Sequence, residues 1–182
     1  QAVIDASPGD GQRADVQLRV EGAVVTNLGF PEDENVWFAD ANGAMRTYRA
    51  TFDVAVQPGD VVSFEVQQIS NYRGELEVIA IEGLEVIGSG EHVYYVDATS
   101  RSISVSEHAR QNVLAWAEVV SGPEDCSSNC FEVDLGAQTE NLRISSSRTF
   151  DPGDCLELFM PVGVFDGEIQ LNVENYDWYR EY

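Results

Sequence analysis

Apolar and polar residues alternate along most of this chain. Val16, Leu18 and Val20 are separated by Gln17 and Arg19, and Val62, Phe64 and Val66 by Ser63 and Glu65. Leu76, Val78 and Ala80 follow the turn residues Asn71 to Gly74. The period returns in Leu156, Leu158 and Met160, and in Ile169, Leu171 and Val173. A period of two puts successive side chains on opposite faces, which marks half-buried antiparallel strands. Between the runs lie Gly, Pro, Asp and Asn turns, the punctuation of small barrels or sandwiches. One stretch departs from this. Ser106–Gln111 reads as a capped first turn of helix, after which 112–120 returns to strand.

The pattern is also written twice. Ile4-Asp5-Ala6-Ser7 returns as Val96-Asp97-Ala98-Thr99, Val24-Val25 as Val119-Val120 and Trp37 as Phe131. Pro58-Gly59-Asp60 returns as Pro152-Gly153-Asp154, and Arg73-Gly74-Glu75-Leu76 as Asp166-Gly167-Glu168-Ile169. Trp37 to Pro58 and Phe131 to Pro152 each span 21 residues. So long a repeat is domain-sized, and predicts two all-β modules, 1–90 and 91–182, meeting near Gly88-Ser89-Gly90. Each module is expected to hold five strands. The copies also predict facing. Phe131 and Val133 flank Glu132, so Phe131 is the core residue; by alignment Trp37 and Ala39 face in and Phe38 faces out. Leu142 and Ile144 likewise place Tyr48 and Ala50 inward, with Arg49 and Arg143 outward.

The strand order resembles the OB-fold, a five-stranded antiparallel Greek-key barrel. The motifs carrying the likeness are the Val-Glu-Gly opening at Val20, the hairpin Asp40 to Gly43, the Pro58-Gly59-Asp60 turn and the Tyr72-Arg73-Gly74 hairpin. In these the first copy is similar to OB-like domains of secreted bacterial proteins, including those beside extracellular nucleases. The second copy is diverged: Ala117-Glu118 stands where the opening Glu-Gly was, and Asp134-Leu135-Gly136-Ala137 blurs the hairpin. The resemblance implies a tandem OB-fold protein that binds ligands on the outer face of its second and third strands and through its first and last loops.

Charge changes the picture. There are 32 acidic residues against ten basic ones, every basic residue is Arg, and the formal net charge is -22. Non-specific nucleic-acid affinity comes from neutralising phosphates, so this balance disfavours nucleic acid. It suits a solvated acidic surface, and leaves a nucleic-acid mimic or a cation-binding surface as alternatives. Cys126, Cys130 and Cys155 lie in the second copy, without a nearby His to complete a zinc site. A Cys126–Cys130 disulfide is the preferred reading, although three thiols allow three pairings; it points to a secreted, periplasmic or cell-surface location. No apolar run approaches the ~18 residues of a membrane span, and no leader is visible, which suggests a mature or cytosolic chain.

Little in the sequence speaks for catalysis. His92 and His108 sit in no metal or nucleophile motif, and neither Gly9-Asp10-Gly11 nor Gly122-Pro123 opens a helix as a phosphate loop must. The chain is therefore read as non-catalytic, with no cofactor. Calcium is a lesser candidate at Glu32, Asp33 and Glu34, whose adjacent acids lack the alternating spacing of a known calcium loop. The expected ligand-binding residues are Phe38, Arg49, Tyr72, Arg73, Arg143 and Phe165. Tyr176, Trp178, Tyr179 and Tyr182 at the end of the chain are read as packing or stacking groups. The leading expectation is a binding or assembly module for protein or carbohydrate. Its alternatives are single-stranded nucleic-acid binding, an accessory role beside a secreted nuclease, and an acidic structural protein or mimic.

Overall fold

The computed structural model describes residues 1–29, 34–125, 129–144, 148–175 and 178–182. It is all-β and forms two compact units: Gln1–Tyr94 with Phe165–Gly167, and Tyr95–Val164 with Glu168–Tyr182.

In the first unit, a four-residue helix α1 (Ala2–Asp5) precedes β1 (Arg13–Leu28), β2 (Val36–Asp40), β3 (Gly43–Thr47), β4 (Val61–Tyr72) and β5 (Glu75–Gly88). These close into a barrel in the order β1-β2-β3-β5-β4. Only the β3–β5 pair is parallel. This is the OB-fold arrangement. Val25, Val36, Phe38, Phe64, Ile69 and Val78 fill the interior.

In the second unit, β6 (Val96–Asp97) and a helical turn α2 (Val105–His108) precede β7 (Asn112–Asp125), β8 (Asn129–Asp134), β9 (Thr139–Ile144), β10 (Cys155–Phe165), β11 (Glu168–Val173) and β12 (Tyr179–Glu181). The sheet order β12-β10-β11-β9-β8-β7-β6 closes through an extra β10–β7 pairing, so the same five-stranded barrel returns. β5 stays paired with β4 as far as Gly88, through several register shifts. In the second unit the corresponding edge of β10, Leu156–Leu158, is taken by the separate strand β12.

The repeated turns explain why their residues recur. In the first unit the Asp60 carboxylate accepts from Gln57 N at 2.9 Å. Val25 N donates to Asp60 O at 2.8 Å, and Gly59 N to Val25 O at 2.9 Å. In the second, Asp154 accepts from Asp151 N at 2.8 Å. Val119 N donates to Asp154 O at 2.9 Å, and Gly153 N to Val119 O at 2.8 Å. Gly59 and Gly153 hold φ of 92° and 96°, a conformation that favours glycine. The closing hairpins are also alike, with left-handed Arg73-Gly74 and Asp166-Gly167 pairs that match the twist of the flanking strands.

This shared frame corrects the predicted facing. Val25 and Val119 occupy equivalent places, whereas the sequence alignment set Val24-Val25 against Val119-Val120. Across the barrel Val25 pairs with Phe38 and Val119 with Val133, and a bulge follows in each first strand. Trp37 is therefore equivalent to Glu132, and Phe38 to Val133. Phe38 is fully buried in the core, its ring 5.0 Å from that of Phe64, and is not an outward ligand-binding residue. Trp37 instead faces out. A slip of one residue moves every side chain of a strand to the other face. The equal 21-residue spacing concealed it. The second copy has one residue more between Val119 and Glu132 than the first has between Val25 and Trp37. It has one fewer between Leu142 and Pro152 than lie between Thr47 and Pro58, the pairings Thr47–Val78 and Leu142–Leu171 marking equivalent places.

Candidate functional site

Corrected facing turns a row of side chains to the outer wall of the first barrel, most of them covered: Asn27, Trp37, Glu77 and Ser70 are buried. Antiparallel and parallel register place Asn27, Trp37, Arg46, Glu77, Ser70 and Arg13 opposite one another in turn, a row that crosses all five strands. Facing residues in such a row have Cβ atoms ~5 Å apart and interact. The Arg46 guanidinium donates to Glu77 at 3.3 Å, and both side chains are about nine-tenths buried. Ser70 Oγ donates to the other Glu77 oxygen at 3.2 Å. Held there, the Arg46 guanidinium lies 5.2 Å from the centre of the Trp37 ring and 5.1 Å from that of Tyr48.

Tyr48 continues β3: its N–H donates to Val78 O at 2.9 Å. Thr47, whose hydroxyl accepts from Val36 N at 2.8 Å, points to the buried side, and this turns Tyr48 outward. Arg49 follows in a left-handed conformation with φ of 54°. Its backbone N–H donates to Asn35 Oδ1 at 3.4 Å, and its exposed guanidinium lies 5.2 Å from the centre of the Tyr48 ring. Two of the ten arginines thus converge on two aromatic rings. Arg46 is a brace that orients Tyr48; Tyr48 and Arg49 are the groups that meet solvent. Such a surface can stack planar groups and donate to an anion beside them.

The expected residues fall in three places. Arg49 belongs to this array. Tyr72 and Arg73 at the β4–β5 turn and Phe165 at the end of β10, whose turn Phe165–Gly167 is grouped with the first unit, come together, the Arg73 guanidinium 5.9 Å from the Tyr72 ring and 4.7 Å from Phe165, with an ion pair to Asp166 at 2.9 Å. Arg143 lies on β9 of the second unit. It is equivalent to Tyr48 rather than to Arg49, since Arg143 pairs with Asn172, one place beyond the Leu142–Leu171 pair. Tyr48 was expected inside and stands outside. Trp37, Arg46 and Tyr48 went unrecognised because each was assigned to the wrong face or to none; the clue in the sequence was an Arg between aromatic residues on neighbouring strands.

Glu32 and Asp33 of the lesser calcium candidate lie outside the described residues, as do Cys126 of the expected disulfide and Tyr176 of the aromatic tail. Among the described residues no group of three or more His, Cys, Asp or Glu is placed to hold a metal. Cys130 is disulfide-bonded, and Cys155 is free and exposed. No helix among the described residues is long and apolar enough to cross a membrane.

No protein-family model matches the chain, and neither does any curated protein sequence. Solved structures do. The tetrameric p202 HIN2 structure aligns over 97% of this chain and 95% of its own, at 11% identity and a TM-score of 0.43. p202 HIN1 in complex with 12-mer dsDNA aligns over 98% of both chains, at 12% identity and a TM-score of 0.41. The Ifi202 HINa domain in complex with 20bp dsDNA aligns over 94% of this chain and 98% of its own, at 12% identity and a TM-score of 0.40. The likeness is to HIN domains. These neighbours are not the secreted bacterial proteins that the expected resemblance named, and the fold itself rests on the strand order. What these domains are bound to stands against the partner expected from charge. Nucleic acid was disfavoured in favour of protein or carbohydrate, yet two of these matched domains are complexes with double-stranded DNA.

Proposed function

We propose that the chain is a nucleic-acid-binding OB-like module that stacks single-stranded bases on the outer wall of its first barrel. The observation that carries this reading is the array of Trp37, Arg46, Tyr48 and Arg49, with its three cation–π contacts. Base–aromatic stacking contributes ~1–3 kcal/mol per base and tolerates any sequence. A net charge of -22 sets the terms. Bulk phosphate attraction cannot be the source of affinity, so stacking supplies most of it and Arg49 contacts at most one or two phosphates. Each phosphate neutralised adds ~0.7 to the slope of log K against log salt for a single strand. The salt dependence is therefore shallow.

The test is fluorescence anisotropy of labelled oligo(dT) and of a duplex at several salt concentrations. Expected is binding of the single strand with a slope of about -0.7 to -1.4, for one or two phosphates. Tyr48→Ala lowers the affinity about 5- to 150-fold, a loss of ~1–3 kcal/mol, and Arg49→Ala flattens the slope. Failure to bind oligo(dT) even at low salt refutes the reading, while tighter binding of the duplex would require a groove-reading mode instead.

A further inference from the structure

The outer wall of the second barrel carries a feature that base stacking does not use. Along β7, Val113, Ala115, Ala117 and Val119 are buried and Trp116 and Glu118 look out. Along β10, Leu156 and Leu158 are buried and Cys155 and Glu157 take the outward positions. In register Trp116 lies opposite Glu157, and Glu118 opposite Cys155. Tyr182 sits on the far side of β10, its N–H donating to Cys155 O at 3.0 Å. The Trp116 and Tyr182 rings meet above β10 with centroids 5.0 Å apart and planes at 44°. They are 45% and 66% exposed, whereas Trp37 and Trp178 are 3% and 5% exposed. The Tyr182 hydroxyl donates to Glu157 at 2.8 Å, which fixes its ring to this spot.

We propose that this ledge binds an organic cation through a quaternary or alkylated ammonium group. The negative ring faces attract such a cation, and its methyl groups make it cheap to dehydrate and a good fit to aromatic carbon. Glu118 and Glu157 lie beside the rings and supply the opposing charge, in a chain already short of cations. A phosphate-bearing ligand would meet the same two carboxylates. Arg180 is the counter-charge on this face: it pairs with Glu157 in register, its guanidinium 3.8 Å from the carboxylate and its side chain 77% exposed. Removing it leaves Glu157 open to the ligand. The ledge is separate from the Tyr48 array, and the inference stands independently of the nucleic-acid reading.

The experiment titrates the whole chain with choline chloride and, separately, with 3,3-dimethyl-1-butanol, the neutral isostere of choline. Potassium chloride at matched ionic strength is the blank. Binding is followed by tryptophan fluorescence, which at the surface reports Trp116, and by the line width of the ligand methyl protons. Expected is a saturable response to choline, about two- to five-fold tighter than to the alcohol, the ratio equivalent to ~0.5–1 kcal/mol for an exposed cation–π contact. Trp116→Ala removes the line broadening while circular dichroism stays unchanged, Glu157→Gln weakens binding and Arg180→Ala strengthens it. Equal affinity for the alcohol would reduce the ledge to an apolar patch and overturn the proposal. So would choline broadening that survives Trp116→Ala in a folded protein, or quenching by oligo(dT) without any by choline.

Discussion

The brace beneath Tyr48 can be tested by a double-mutant cycle on Arg46 and Glu77. At 3.3 Å the direct attraction is ~5 kcal/mol for an effective dielectric of 20, before either charge is stripped of water. With side chains only 12% and 9% exposed, that stripping has largely happened. Removing one partner of a buried pair costs ~3–5 kcal/mol because the other charge is left in a poor solvent, whereas replacing both by apolar groups is often near neutral. Glu77→Leu loses the Ser70 contact as well, and Arg46→Met loses the two ring contacts. Each single variant should therefore be destabilised by ~3 kcal/mol. The double variant should fall well short of their sum, for a coupling of ~2 kcal/mol. Urea unfolding measures this directly: with m of ~1–3 kcal/mol/M, each single substitution moves the midpoint by about 1–3 M. Additivity within ~0.5 kcal/mol, or single variants no less stable than the parent, would refute the claim that this pair holds the array in place.

Other substitutions probe other parts of the argument. Phe38→Ala empties a fully buried site against Phe64 and should cost ~3–5 kcal/mol in denaturant unfolding; an unchanged midpoint would return Phe38 to the surface. Glu140 has its pKa raised, by burial first and then by Glu168, with the Gln138 amide that donates to it working against the shift. A carboxyl whose folded pKa lies above its unfolded value stabilises the fold below the unfolded pKa, and loses that contribution as pH rises through the folded one. Glu140→Gln should then be more stable than the parent at neutral pH, the gain vanishing below about pH 4.5, the ordinary value for a glutamate carboxyl. Urea midpoints at a series of pH values check the sign. Gly122 holds φ of 122°, and a Cβ there would come within 2.7 Å of the Cys130 carbonyl oxygen and 2.8 Å of the Phe131 ring. Gly122→Ala should lower the melting temperature more than Gly153→Ala, whose added Cβ meets open space.

The elements that could be read from the chain are those set by neighbours a few residues apart. Asp60 and Asp154 cap their own turns through a backbone N–H three residues away. Asp40 does the same for its hairpin, accepting from Asn42 N and Gly43 N. Asp134 accepts from Gly136 N, so the second copy keeps the carboxylate cap where its sequence looked degraded. The site was less legible, because facing depends on register. A bulge after Val25 and another after Val119, with unequal lengths on either side, hide a one-residue offset behind an identical spacing. Trp37 and Phe38 are neighbours in sequence, and only the pairing of β2 with β1 decides which of them enters the core.

The alternating pattern and the doubled turns by themselves determined two five-stranded barrels of one architecture, because periodicity and turn chemistry are local properties. Which aromatic residues meet which arginines was decided by the closed barrel alone. Trp37, Arg46 and Glu77 are brought together through pairings of β2 with β3 and of β3 with β5, and Trp116 and Tyr182 meet only because β12 pairs with β10. Such contacts join residues far apart in the chain, and one bulge changes every one of them.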